Sequence, residues 1–475
     1  MTPPLNALLF LALLFVAPAC HAQAQFPDSP AGNQARVWLE SFNAGDAEKH
    51  KEFLRKNAPT RLERFDREMG IRQMSGGFDL KKVEESTPTK MVALVQERAS
   101  DQFVRFTVEV DANQPHQITR MALQGTARPA EFALPHMSEN ELLLLLRKKL
   151  GDELVAGRFS GSVLVAKDGK PVFSYAEGLA DREKKVANTL NTRFRLGSMN
   201  KMFTAVATLQ LAQSGKLDLK APFGNYLTDY PNKDVASKVT VDQLLSHTGG
   251  TGDIFGPEFE KKRLELKTLQ DYVTLYGTRG LEFEPGSRWG YSNYGFLLLG
   301  VLIEKVSGKS YYDYVRDHIY KPAGMTASGS EPEEQAVAER SIGYTRFTGD
   351  LKPNADTLPY RGTSAGGGYS TVEDLLKFAT ALQSHKLLNA QHTEMLTTGK
   401  VATPGGKYAY GFSDAVVNGR RCFGHGGGAP GMNGELKICP APDTGSGYVV
   451  VVLSNLDPPA ASRVADFITS RLPLK

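Results

Sequence analysis

Cysteine is scarce in this chain, with three residues among 475. No two of them stand at zinc-site spacing and no H-E-x-x-H occurs, so neither a metalloenzyme nor a bound cofactor is expected. Beyond the first residues, no apolar run is long enough to make a membrane-crossing helix. No basic stripe interleaved with aromatics is present, and the net charge is only +4, so nucleic acid is not an expected partner. Internal repeats and long low-complexity segments are also missing. What is present is ordinary for a globular protein, 41% apolar and 23% charged residues. The length suggests two to three domains.

The N-terminus reads as a targeting segment. Leu8 to Val16 is a short apolar run, followed by Ala17-Pro18-Ala19-Cys20-His21-Ala22 with small residues at signal-peptidase spacing. The expectation is a signal peptide over residues 1–22, cut after Ala22 or Ala24, and an exported, periplasmic or secreted protein. No Lys or Arg precedes Arg36, which is unusual for a signal. A lipid anchor through Cys20 is a second reading, although Ala17-Pro18-Ala19 matches a lipoprotein site poorly; a buried helix is a third. Cleavage leaves Cys422 and Cys439, which flank a Gly-rich turn between two expected strands. An exported protein can keep a disulfide there, and a reduced buried pair is equally open.

Residues 26–128 read as a separate small α+β domain. Ala35 to Asn57 gives one or two amphipathic helices broken at Asn43-Ala44-Gly45-Asp46, then strands near 77–84, 91–98, 102–111 and 116–125. This order resembles a cone-shaped, SnoaL-like fold, and the domain's role is not legible. Residues 129–137 form the expected linker, with Pro129 and Pro135. From 138 to 475 comes a larger region. Ser138-Glu139-Asn140-Glu141 opens a helix with a capping box. Gly161 to Phe173 reads as a hairpin turning at Asp168-Gly169, with a strand near Tyr448 to Leu453 and a helix over Pro459 to Leu472. Strands at both ends of the region suggest one sheet assembled from distant pieces.

Three short segments carry candidate chemistry. Ser198-Met199-Asn200-Lys201 is the only S-x-x-K, at the start of an apolar helical run closed by Ser214-Gly215. Residues three apart share a helix face, so hydroxyl and amine can meet. A lysine deprotonates a serine only if burial or a nearby cation lowers its pKa. Tyr291-Ser292-Asn293 follows Pro285-Gly286 and precedes the helical run Phe296 to Val306; a tyrosine near a lysine can carry phenolate character and accept a proton. Tyr230-Pro231-Asn232 is a rival that reads as an exposed turn. His425-Gly426-Gly427-Gly428 ends a strand-like stretch, and its glycines admit a substrate to the backbone edge. Its rival, His247-Thr248-Gly249-Gly250, reads as a helix-ending turn. Each segment alone is more readily structural than catalytic.

Together, in this order, Ser198-x-x-Lys201, Tyr291-x-Asn293 and His425-x-Gly427 resemble the serine beta-lactamase and penicillin-binding-protein superfamily. The branch they resemble holds AmpC-type enzymes, D-alanyl-D-alanine carboxypeptidases, D-aminopeptidases and esterases. Phe159 to Val165, Leu244 to Gly250 and Gly366 to Leu375 are also family-like, with Gly249 where serine is more usual. The resemblance covers about Ser138 to Leu472. It implies an α+β fold, an antiparallel sheet with flanking helices and an all-helical insert. It also implies that Ser198 is the nucleophile, that Lys201 and Tyr291 share acid and base duties, and that Asn293, His425 and Gly427 bind substrate. The N–H groups of Ser198 and Gly428 would then form the oxyanion hole.

One departure matters. Many relatives carry Lys-Thr-Gly where this chain has His425-Gly426-Gly427, and a histidine is mostly neutral at pH 7. A permanent cation for a substrate carboxylate is missing, unless Arg420 or Arg421 supplies it. The expected function is therefore acyl-enzyme hydrolysis of an ester, a D-amino-acid amide or peptide, or a cell-wall peptide, with weak or no beta-lactamase activity. The substrate is a small molecule or peptide, with peptidoglycan one candidate. The alternative is a non-catalytic binding protein of the same fold that senses peptidoglycan or another ligand.

Overall fold

Residues 24–126, 128–135, 137–347, 350–441 and 447–473 are described by a computed structural model. The expected signal peptide, 1–22, and Cys20 lie outside the described residues. The chain divides into two units. One takes the described part of Met1–Phe65 with Ser75–Arg98 and Gln102–Thr126. The other takes Asp66–Met74, Ala99–Asp101 and the described part of Ala127–Lys475.

In the first unit, helix Pro30–Ala44 ends at Gly45, whose φ of 71° suits glycine, and Asp46 caps helix Ala47–Asn57. Four strands follow, Phe78–Ser86, Lys90–Glu97, Phe103–Val110 and Ile118–Thr126, paired antiparallel in sequential order. Trp38 and Phe42 of the first helix pack on the sheet, with Trp38–Phe106 ring centroids 4.9 Å apart and Phe42–Phe78 5.6 Å. Helix Phe65–Ser75, whose residues Asp66–Met74 are counted with the other unit, was not anticipated, because its residues show no apolar period.

In the second unit an eight-stranded sheet is built, in spatial order, from Val401–Thr403, Gly406–Tyr408, Ser413–Val417, Arg420–Ala429, Met432–Pro440, Gly447–Ser454, Gly161–Lys167 and Lys170–Glu177. Each neighbouring pair runs antiparallel. Tyr448 pairs with Lys167 and Ser454 with Gly161, so both ends of the region do meet in one sheet. The strands alternate in burial. Val163, Val165, Val450 and Val452 face helices Glu139–Val155 and Ala460–Thr469, while Leu164, Ala166, Val449, Val451 and Leu453 face the helical insert. Ser138 makes the expected capping box with Glu141. The stretch expected as a linker, 129–137, holds a 3-10 turn at Ala130–Phe132, with residue 136 outside the described residues.

The insert is built around helices Lys201–Gln213 and Asn293–Ser307, buried over Lys201–Leu209 with Leu211 and over Asn293–Ile303 and mostly apolar there. Burial on every face over those stretches marks helices wrapped by the rest of the domain. Two expectations are corrected here. Ser198 lies in a 3-10 turn, Gly197–Asn200, with the α-helix starting at Lys201. His425 does not end its strand; it sits in the middle of Arg420–Ala429, because the glycines after it continue the pairing as far as Ala429 opposite Met432. Cys422 and Cys439 are disulfide-bonded across these two strands, with an S–S distance of 2.04 Å. Among the described residues, no helix is long and apolar enough to cross a membrane, and no group of three or more His, Cys, Asp or Glu is placed to hold a metal ion.

Candidate active site

The turn that carries Ser198 is clamped from both sides. Upstream, Phe194–Arg195 pairs with Tyr369–Ser370, and Leu196 N–H donates to Gly368 O at 3.0 Å. Arg195 forks onto Glu333, with Nε and Nη2 at 3.2 and 2.8 Å from its oxygens. Downstream, Gly367 N–H donates to Gly197 O at 3.0 Å. Gly197 has φ of 53°, and Gly427 lies so close that a Cβ there would stand 1.9 Å from Leu196 O. That Cβ would also lie 3.0 Å from Ser198 N, while one on Gly197 would lie 3.0 Å from Gly428 N. The backbone N–H groups of Ser198 and Gly428 are thus brought into one neighbourhood, at the exposed edge where Gly428 lies.

Lys201 is fully buried one turn below Ser198. Its Nζ donates to Asn293 Oδ1 at 2.7 Å, to Ala365 O, and to Ser198 Oγ at 3.3 Å. Burial pushes its pKa down to about 7, against the weaker pull of the Asp253 carboxylate. Half of the lysines are therefore neutral near physiological pH. A neutral amine keeps two N–H bonds, to Asn293 and Ala365, and turns its lone pair to the Ser198 hydroxyl. That is the geometry of a general base.

Tyr291 sits in the loop before helix Asn293–Ser307, which Ser292 caps through Gly295 N at 2.9 Å. The phenol hydrogen-bonds to Ser198, and Lys201 Nζ lies 4.8 Å from its ring centroid. Phenolate character is not what the site favours: burial, with the Asp253 charge adding to it, raises the Tyr291 pKa above its ordinary value. The Tyr291 phenol therefore keeps its proton. Asn293 joins Lys201 to Asp253, donating from Nδ2 to both carboxylate oxygens at 2.9 and 3.2 Å. Asp253 was missed in the sequence. Its only signal is a position just after the Gly-rich turn Thr248-Gly249-Gly250-Thr251-Gly252.

The rivals part company. Tyr230 is not an exposed turn but a buried core residue, 3.1 Å from the Tyr294 hydroxyl, and Asn232 caps helix Lys233–Lys238. His247, by contrast, lies under the site, its ring 4.4 Å from that of Tyr291, and its Nδ1 accepts from Ser292 N–H at 3.1 Å. His425 reaches the Tyr408 hydroxyl through Nε2 at 3.0 Å and Gly426 O through Nδ1. Burial, with the Lys201 charge beside it, lowers the His425 pKa to about 3; the same causes lower His247. Neither imidazole is a cation. Arg420 and Arg421 do not replace one: Arg420 is buried against Pro440 O and Pro473 O, and Arg421 pairs with Asp414 at 2.8 Å. A separate cavity of about 410 Å³ lies beyond Asn200, lined by Tyr311, Tyr312, Glu331 and Arg361, and contains none of Ser198, Lys201 or Tyr291.

Known proteins share the sequence and fold of this region. The family model described as Beta-lactamase matches residues 148–474. A penicillin-binding protein from Bacillus halodurans superposes with a TM-score of 0.60 at 32% identity, covering 66% of this chain and 98% of that one. A D-stereospecific amidohydrolase from Streptomyces sp. gives a TM-score of 0.57 at 27% identity, over 70% and 98% of the two chains. The teichoic acid D-alanine hydrolase of Staphylococcus aureus (strain MRSA252) is 30% identical over 270 residues, 56% of this chain and 65% of its own. With a base-adjacent serine at its centre and a match over most of its length, this chain belongs to the beta-lactamase family of serine hydrolases.

Proposed function

We propose that this chain is an exported acyl-serine hydrolase for acyl donors with a free amino group beside the scissile carbonyl. D-amino-acid amides, short D-peptides and D-aminoacyl esters fit that description, with beta-lactam turnover weak or absent. One observation carries the substrate class: Asp253, a partly buried residue, holds its carboxylate on Asn293 beside Lys201, while the third motif contributes an uncharged histidine. A site with a fixed anion and no fixed cation opposite it favours an ammonium over a carboxylate.

In the mechanism this geometry supports, neutral Lys201 takes the Ser198 proton as Oγ attacks the carbonyl carbon. The N–H groups of Ser198 and Gly428 stabilise the resulting oxyanion. The carbonyl–leaving group bond then breaks as Tyr291 donates its proton to the departing nitrogen or oxygen, and the ammonium of Lys201 gives up the proton it took from Ser198 to restore the phenol, leaving both groups as they began. Water repeats the sequence on the acyl-serine and releases the acid. The leader-like residues 1–22 and the Cys422–Cys439 disulfide support export.

The test is hydrolysis of D-alanine p-nitroanilide beside its N-acetyl derivative, p-nitrophenyl acetate and nitrocefin. The expected order places the free amine well ahead of the N-acetyl compound and nitrocefin last. Equal rates with and without the acetyl group would contradict the substrate class.

A further inference from the structure

We infer that Tyr408 and His247 are positioning residues, which hold Tyr291 and His425 in place through an uncharged hydrogen-bond chain with every proton assigned. The inference rests on the reading of Ser198, Lys201 and Tyr291 as the reacting groups.

The chain is fixed from its two ends, because each end is a backbone group with a single role. Ser292 N–H can only donate, so His247 Nδ1, 3.1 Å away, must accept, and the His247 proton sits on Nε2. That Nε2–H donates to Tyr408 Oη at 3.1 Å. At the other end Gly426 O can only accept, so His425 carries its proton on Nδ1. His425 Nε2 is then an acceptor, and the Tyr408 hydroxyl donates to it at 3.0 Å. Tyr408 has one proton to give and a lone pair to receive, and both are used. All three side chains are buried, at 1, 5 and 7% exposure for His247, Tyr408 and His425.

Two consequences follow. His425 has no free nitrogen for substrate, so its place in the third motif is that of a strut, not of a donor. His247 fixes the peptide that follows Tyr291 and packs on the Tyr291 ring at 4.4 Å between centroids, so the second motif is located by the strand of the third. An added proton has no acceptor anywhere along the chain. The charges that face it, Lys201 toward both rings and Lys437 toward His425, oppose protonation as well.

The experiment is long-range 15N–1H NMR of the histidine rings in the mature protein, with His247 and His425 assigned by single substitutions to Asn. Expected are an Nε2–H tautomer for His247 and an Nδ1–H tautomer for His425, neither titrating between pH 5 and 9. The tautomers are read in the wild-type spectrum, and His247→Gln and His425→Gln supply the assignments where an Asn variant folds poorly. In Tyr408→Phe, which removes one oxygen, the tautomers are expected to lose their constraint. The rate of Ser198 labelling by a fluorophosphonate should fall about ten- to a hundredfold, with KM changed less than threefold. His247→Asn, which keeps an acceptor for Ser292 N–H, should retain more activity than His247→Ala. Opposite tautomers, a doubly protonated ring at pH 7, or a Tyr408→Phe enzyme with wild-type rates would overturn the inference. The two readings fail differently: wrong tautomers in an active enzyme overturn this one alone, whereas a wild-type protein with no Ser198-dependent reaction overturns the hydrolase and, with it, any catalytic use of the chain.

Discussion

Lys201 Nζ and Asn293 Oδ1 lie 2.7 Å apart in a pocket that excludes solvent from the lysine, 92 residues separating them in sequence. The asparagine holds the amine in place without supplying a full negative charge, so burial is free to lower the lysine pKa. An aspartate at that position would keep Lys201 protonated and useless as a base.

The pH dependence of kcat/KM follows from that arrangement. Lys201 must be neutral to act, and its pKa stands at about 7. Activity is expected to rise about tenfold per pH unit below the midpoint and to level off above it. Tyr291, raised by burial, stays protonated through this range. A pH–rate profile on a neutral ester checks this; a flat profile from pH 5 to 8 would remove Lys201 from the base role.

Removing the Asp253 charge has a signed effect. Its carboxylate favours protonated Lys201, so Asp253→Asn should move the acid limb to lower pH. The same variant should lose the preference for a free amine over its N-acetyl counterpart. Both are read in one series of pH–rate profiles on the two p-nitroanilides.

A buried lysine with a depressed pKa also costs stability. The unfolded chain binds a proton up to pH 10.5, the folded one only up to about 7. Between those values the unfolded state holds more protons, so this contribution rises with pH by about 1.4 kcal/mol per unit. Below pH 7 the penalty is complete. Urea denaturation of wild type and Lys201→Met at pH 7 and pH 9 checks the sign: the wild type should gain on the variant by about 2 kcal/mol between the two, since the folded lysine is already half neutral at pH 7.

Gly427→Ala tests the close approach of the two backbone segments. The new Cβ would meet Leu196 O at 1.9 Å, and neither partner is a flexible side-chain end. The strand and the nucleophile turn must separate, at a cost of about 1–3 kcal/mol. Acylation of Ser198 is expected to drop at least about a hundredfold as the N–H groups of Ser198 and Gly428 lose their alignment.

Legibility in the sequence tracked the range of the interaction. Ser198 and Lys201 were readable because helical spacing is local, and the strands 161–177 and 447–454 because their apolar patterns are short and regular. Tyr291 and His425 needed the resemblance, since nothing local ties them to Ser198. Asp253, Tyr408 and the placement of His247 were not readable, because each acts through hydrogen bonds to segments distant in sequence. The phenolate expectation for Tyr291 and the exposed turn at Tyr230 failed for one shared reason: burial is a property of the packed chain.

The central claim is an acyl-enzyme on Ser198. Its most direct test is intact-mass analysis of the mature protein after a fluorophosphonate and, separately, a fluorescent penicillin, with Ser198→Ala as control. The account expects one fluorophosphonate adduct per chain, absent from Ser198→Ala, and slow or no penicillin adduct. No Ser198-dependent adduct with either reagent would contradict it and favour a binding protein of this fold.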